Sequence, residues 1–198
     1  MDAITLLKND HRTVNALFVR FEKAGESAYE EKQTLAEKII KELSIHTSIE
    51  EQLFYPVART LSDALDDHVL ESLEEHHGAK ATLAELEKMA STDERFDAKM
   101  TVLIESVRHH VKEEEQDWFP MVRKLMTKAT LMSLGEALQS AKSGAPTHPD
   151  PLAPDTPPGN DPYEKFAGVI SSEIDKDASK VSRHSLKTGS PRSLHSRP

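Results

Sequence analysis

The 198-residue chain contains no cysteine. That excludes disulfides, thiolate metal sites, iron–sulfur clusters and a cysteine nucleophile together. Glycine is scarce, at seven residues, and alternating β-branched runs are few, so little material is left for a sheet. No apolar stretch reaches the length of a membrane span. The opening MDAITLLKND has no basic run, apolar core or small-residue cleavage site. The cytoplasm is therefore the expected location. Net charge is −9, and no basic stripe with interleaved aromatics occurs in the acidic first two-thirds. No nucleic-acid partner is expected of such a surface.

What the chain does have is one stretch carried twice. His46-Thr-Ser-Ile-Glu-Glu-Gln-Leu-Phe-Tyr-Pro56 returns as His110-Val-Lys-Glu-Glu-Glu-Gln-Asp-Trp-Phe-Pro120. Each copy has a His, a Glu one helical turn later, a second Glu, a Gln, two aromatics and a Pro. His and Glu at i and i+4 lie on a single helix face and can reach one centre. Imidazole and carboxylate supplied twice suit a borderline metal such as iron, zinc or manganese.

The periodicity predicts four long amphipathic helices, over about 2–24, 29–59, 66–90 and 94–126. Asp2 is the expected cap of the first and Gly25 its stop. Pro56 is expected to kink or end the second. A shorter apolar segment, 129–140, adds a fifth helix at one end. Short connections make an all-α, up-down-up-down four-helix bundle the natural packing. His11 and His46 are 35 residues apart and His76 and His110 are 34 apart, as in a duplicated helix pair. Residues 1–141 form the expected bundle. From 142 to 198 the composition turns proline-rich, then serine-rich and basic, and a disordered tail is expected, with a weak helix near 163–181 and no identifiable partner.

Six ionisable residues fall on core-facing stripes at mid-helix: His11, His46, Glu50, His76, His110 and Glu114. In an antiparallel bundle such residues meet in one layer. A lone buried His is usually hydrogen-bonded to a neighbour, and a lone Glu is usually solvated. Six together place two carboxylates in a low-dielectric layer, and a cation removes that cost. Four His and two Glu exceed what one tetrahedral zinc needs, so a dinuclear centre is expected. His76 is preferred to His77 because it lies on the apolar stripe. His110 is preferred to His109, which would pair with Glu113, because only His110 superposes the two copies. His77 either supports the ligands from behind or faces solvent. Glu51 and Glu115 are expected to face outward or to hydrogen-bond a ligand His. Phe54, Trp118 and Phe119 read as core packing, with Tyr55 the aromatic that could approach a metal.

These residues resemble the hemerythrin-like, HHE cation-binding family: LLKNDH11, the H-x3-E of the second helix, EEH76HGAK, and the second H-x3-E, in that order within residues 1–126. The resemblance implies a non-haem di-iron centre with an Fe–O–Fe unit. His11, His46, His76 and His110 would be terminal ligands, and Glu50 and Glu114 bridging carboxylates; manganese or zinc are less expected. It also implies dealings with dioxygen, peroxide, nitric oxide or iron, hence with oxidative stress. Oxygen-carrying hemerythrins have a further His four residues after the third-helix ligand, where this chain has Lys80. A protonated lysine cannot ligate, which favours catalase-like peroxide dismutation over oxygen carriage. The competing expectation is an iron or oxygen sensor whose bundle stability follows metal load. A ferritin-like oxidase would need two Glu-x-x-His pairs, and only the Glu74–His77 stretch offers one.

Overall fold

In the computed structural model, residues 1–155 are described; residues 156–198, including the expected weak helix and basic end, lie outside the described residues. The described chain is helical, with no strand among those residues. Helix α1 spans Ala3–Lys23. Helix α2 (Tyr29–Ile49) runs through a π turn (Glu50–Phe54) into α3 (Tyr55–Arg59). After a tight connection come α4 (Asp63–Leu86) and α5 (Phe96–Glu113). A second π turn (Glu114–Trp118) leads into α6 (Phe119–Leu125), and α7 (Lys128–Ala141) closes one end. The four long rods and the fifth helix are those the apolar periodicity predicts.

Local chemistry sets the ends. The Asp2 carboxylate accepts from the Thr5 amide, Ser62 from Leu65 and Thr127 from Thr130, each filling an orphan donor of a first turn. Gly25 follows directly on the end of the helix, as expected of a stop, without taking the left-handed conformation. Helix α1 ends at Lys23 with Ala24 extended, and no described glycine has positive φ. Asp93 fastens the α4–α5 turn by accepting from the Ala90 amide rather than capping α5.

Pro56 and Pro120 do not end their rods; the chain stays helical through both. A proline cannot donate to the helical ladder, and its ring crowds the carbonyl four residues back. Both rods answer by widening: the Tyr55 amide donates to Glu50 O, and the Phe119 amide donates to Glu114 O, five residues back in each case. The widened turn gives the helix room to pass the proline.

Apolar side chains collect in two clusters. One joins α1's first turns, both π turns and α7, around Leu7, Phe54, Trp118 and Leu134. The other joins the opposite halves of α1, α2, α4 and α5, around Phe18, Ile39, Leu83 and Met100. The polar layer lies between them. Residues 142–155, where the tail was expected to begin, run along the bundle. Lys142 pairs with Asp10, and the Gln52 amide donates to Pro154 O.

Helix α7 sits so close to the chain's first residues that a Cβ at Gly135 would overlap the Met1 carbonyl and come within 2.8 Å of Ala3 N. Gly135→Ala should therefore lower stability by about 1–3 kcal/mol despite alanine's better helix propensity. Thermal unfolding checks this, and an unchanged or raised midpoint contradicts the packing.

Candidate metal centre

Each histidine is carried by a different rod, and all four point their Nε2 atoms at the middle of the bundle. His11 Nε2 and His46 Nε2 are 3.2 Å apart, and so are His76 Nε2 and His110 Nε2. Glu50 Oε2 lies 3.1 Å from His46 Nε2 and 3.5 Å from His76 Nε2. Glu114 Oε2 lies 3.1 Å from His11 Nε2 and 3.6 Å from His110 Nε2. Each carboxylate thus spans the His of its own rod and a His of the other hairpin. Both glutamates are 0% exposed, and the four imidazoles are buried. The ligating atoms form two groups, His11–His46–Glu50–Glu114 and Glu50–His76–His110, with Glu50 common to both.

The outer nitrogens are held from behind. His11 Nδ1 meets Glu115 at 2.9 Å, His76 Nδ1 meets Glu51 at 3.1 Å, and His110 Nδ1 meets Glu75 at 2.8 Å. Glu115 and Glu51 are each braced by a lysine, Lys8 at 3.2 Å and Lys80 at 3.0 Å. The fourth position is the odd one. Asp10 stands where Glu75 stands in the other hairpin, one methylene shorter, and its carboxylate stops 3.7 Å from His46 Nδ1. Neither that oxygen nor that nitrogen has a hydrogen-bond partner.

A ring that donates Nδ1–H to a carboxylate turns an Nε2 lone pair inward. The layer is then acceptor against acceptor, which suits a cation. Glu50 Oε1 and Glu114 Oε2 are buried without a hydrogen-bond partner. Octahedral ligands about 2.1 Å from one ion stand about 3 Å apart, close to the spacings seen here. The donor set fits metal ions.

Without an ion, protons take its place. Burial opposes a charge on His11, but the carboxylates of Glu114 and Glu115 beside it outweigh that and raise its pKa to about 9. Burial holds His46 and His76 below the ordinary histidine range. Burial, then the charge of Glu114, pushes Glu50 well up, whereas the surrounding His110 and His11 overcome burial at Glu114 and hold it down. The pair therefore carries its negative charge on Glu114.

A second asymmetry breaks the repeat. At Glu50+5 the wide turn brings Tyr55 inward, its hydroxyl 3.0 Å from Glu114 Oε1, 3.4 Å from Glu50 Oε2 and 3.2 Å from His76 Nε2. Glu114+5 is Phe119, whose ring stacks on His11 at 6.0 Å between centroids. Phe54 and Trp118 stack on each other in the apolar cluster.

The six expected ligand residues are thus brought together. His77 is exposed and outside the layer. His109 is exposed and pairs with Glu113 at 3.3 Å. Glu51 is buried rather than turned outward, and Lys80 is 6% exposed with its ammonium on Glu51. Asp10 and Glu75 were not singled out from the sequence. The signal was present, since each is the acid immediately preceding a ligand-position His of the helix pair.

A helical bundle with two facing His/Glu clusters in its interior is a metal-binding protein. More narrowly, the chain belongs to the hemerythrin HHE cation binding domain family, whose model matches residues 2–122. An uncharacterized hemerythrin-like protein of Schizosaccharomyces pombe is 26% identical over 168 residues, covering 84% of this chain and 80% of that protein. A DNA nickase of Nostoc sp. is 24% identical over 143 residues, covering 72% of this chain but 40% of that protein. The crystal structure of a hemerythrin HHE cation binding domain-containing protein from Mycobacterium kansasii shares the fold, with a TM-score of 0.63 at 24% identity. That match covers 73% of this chain and 86% of that one. No helix of the described residues is long and apolar enough to cross a membrane.

The metal-free chain should be most stable near neutrality. The contribution of His11 is complete below pH 6.5 and is lost as pH rises through about 9. Those of His46 and His76, whose pKa values are depressed, are lost as pH falls below 6.5. Glu50, raised above 4.5, adds a further loss with rising pH that Glu50→Gln should remove. Unfolding midpoints from pH 5 to 10 (about one unit beyond the His11 window) check this, and a flat profile contradicts it.

Proposed function

We infer that the chain holds a pair of iron ions in the His/Glu layer and turns over a small oxidant, hydrogen peroxide ahead of dioxygen or nitric oxide. The observation carrying this reading is that Glu50 and Glu114 each reach a histidine of both hairpins. Such carboxylates suit bridges between two ions. His11 and His46 would serve one ion, and His76 and His110 the other. Iron supplies electron exchange with a bound oxidant when present. The chain's own residues do the rest: Glu115, Glu51 and Glu75 fix three rings with Nε2 inward, and Tyr55 donates a hydrogen bond to Glu114.

Lys80 supports turnover over carriage. Its ammonium is spent on Glu51, so the third helix offers His76 and no further imidazole one turn on. That leaves coordination positions for an oxidant. A metal-load sensor is the second reading. It is favoured by the Asp10–Lys142 pair, which ties the residue behind His46 to the segment after α7.

Metal analysis and absorption spectra before and after peroxide test this reading. We expect about two irons per chain, the dinuclear stoichiometry, with oxygen evolved on peroxide addition. His46→Ala should abolish both. A single zinc, or iron that survives His46→Ala, overturns it. Glu51→Gln should weaken metal binding by about 10–100-fold while leaving the fold intact, because it removes a brace and not a ligand.

A further inference from the structure

A cavity of about 90 Å³ lies between α1, α2, α4 and α5, on the side of the His layer away from α7. Its inner end is made by the rings of His11, His46, His76 and His110. Its walls are apolar, from Val14, Phe18, Leu43, Ala79, Val107 and Val111. Its outer edge carries Asn15 and Arg108.

Arg108 is fully engaged there. Its Nη1 and Nη2 donate to the two oxygens of Glu22 at 2.6 and 2.9 Å, and its Nε donates to Asn15 Oδ1 at 3.2 Å. Its guanidinium carbon stands 5.8 Å from the Phe18 ring. The planar fork thus bridges α5 to α1 across the mouth with its charge matched by Glu22. The other charged residue on the lining, Glu75, is committed to His110.

We propose that this cavity is the route by which a small uncharged molecule reaches the His/Glu layer, and that the Arg108–Glu22–Asn15 contacts are the latch at its mouth. The proposal rests on the functional reading above and adds the path and the contacts that close its mouth. An ion entering the apolar segment would lose its water and find no free countercharge. A neutral molecule has no charge to desolvate, and an apolar diatomic gives up least of all. An exposed ion pair is weak and side chains of this kind reorient quickly, so the latch opens readily.

Two measurements test it, one independent of metal. Crystals of the metal-free protein under xenon should show the gas among Phe18, Leu43 and Val107, since dry apolar cavities take up xenon. Ala79→Leu should fill that space and expel the xenon. In the iron-loaded protein, Ala79→Leu should slow nitric oxide binding several-fold, followed by absorbance, and Arg108→Ala should speed it several-fold, both with unchanged iron content. Absence of xenon from the wild-type cavity overturns the route. So does nitric oxide binding at the wild-type rate in iron-loaded Ala79→Leu, and the iron reading then stands without it. A chain that takes up no iron overturns the functional reading and the route together.

Discussion

Two carboxylates buried in the same dry layer are the constraint on which this structure depends. Glu50 and Glu114 are fully enclosed, and each leaves an oxygen without a hydrogen-bond partner. Leaving both ionised there is costly unless positive charge lies between them. The four histidines answer that need either by taking up protons or by sharing cations. His11 shows the first solution, with its raised pKa, and the inward Nε2 lone pairs are built for the second. Charge balance in this layer therefore links bundle stability to metal occupancy.

The repeated sequence makes the layer nearly two-fold. Equivalent residues occupy equivalent roles: His46 and His110, Glu50 and Glu114, Glu51 and Glu115, Asp10 and Glu75. The departures from symmetry carry chemical consequence. Tyr55 places a hydroxyl among the carboxylates where Phe119 places a ring on His11. Asp10 falls short of His46 where Glu75 reaches His110. The two halves of the centre therefore differ in polarity and in how firmly a ring is held. The His46 ring is the least restrained of the four.

Much of this was legible beforehand because a buried polar residue on an apolar stripe violates the pattern around it. His11, His46, Glu50, His76, His110 and Glu114 all stand out that way, and the 3.6-residue period places them at one depth. The π turns were not legible. Pro56 and Pro120 signal disruption, but a widened turn and a kink satisfy a missing donor equally well on sequence grounds. The inward turn of Tyr55 depends on that widening. The outer braces were marked by the acids preceding His11 and His76, but the ring that each acid serves was hidden for another reason. Glu75 serves a histidine on the neighbouring rod, and such cross-helix pairs depend on helix rotation, which spacing along one chain does not encode. Lys80 showed where an imidazole was lacking, but its bond to Glu51 required the third dimension.

The measurement closest to the central claim is an anomalous diffraction map at the iron edge, from crystals of protein loaded with ferrous iron. The account predicts two peaks inside the bundle, one beside His11 and His46 and the other beside His76 and His110, with Glu50 and Glu114 between them. A single peak, or peaks only at the half-exposed Glu75–His109–Glu113 group, would contradict it.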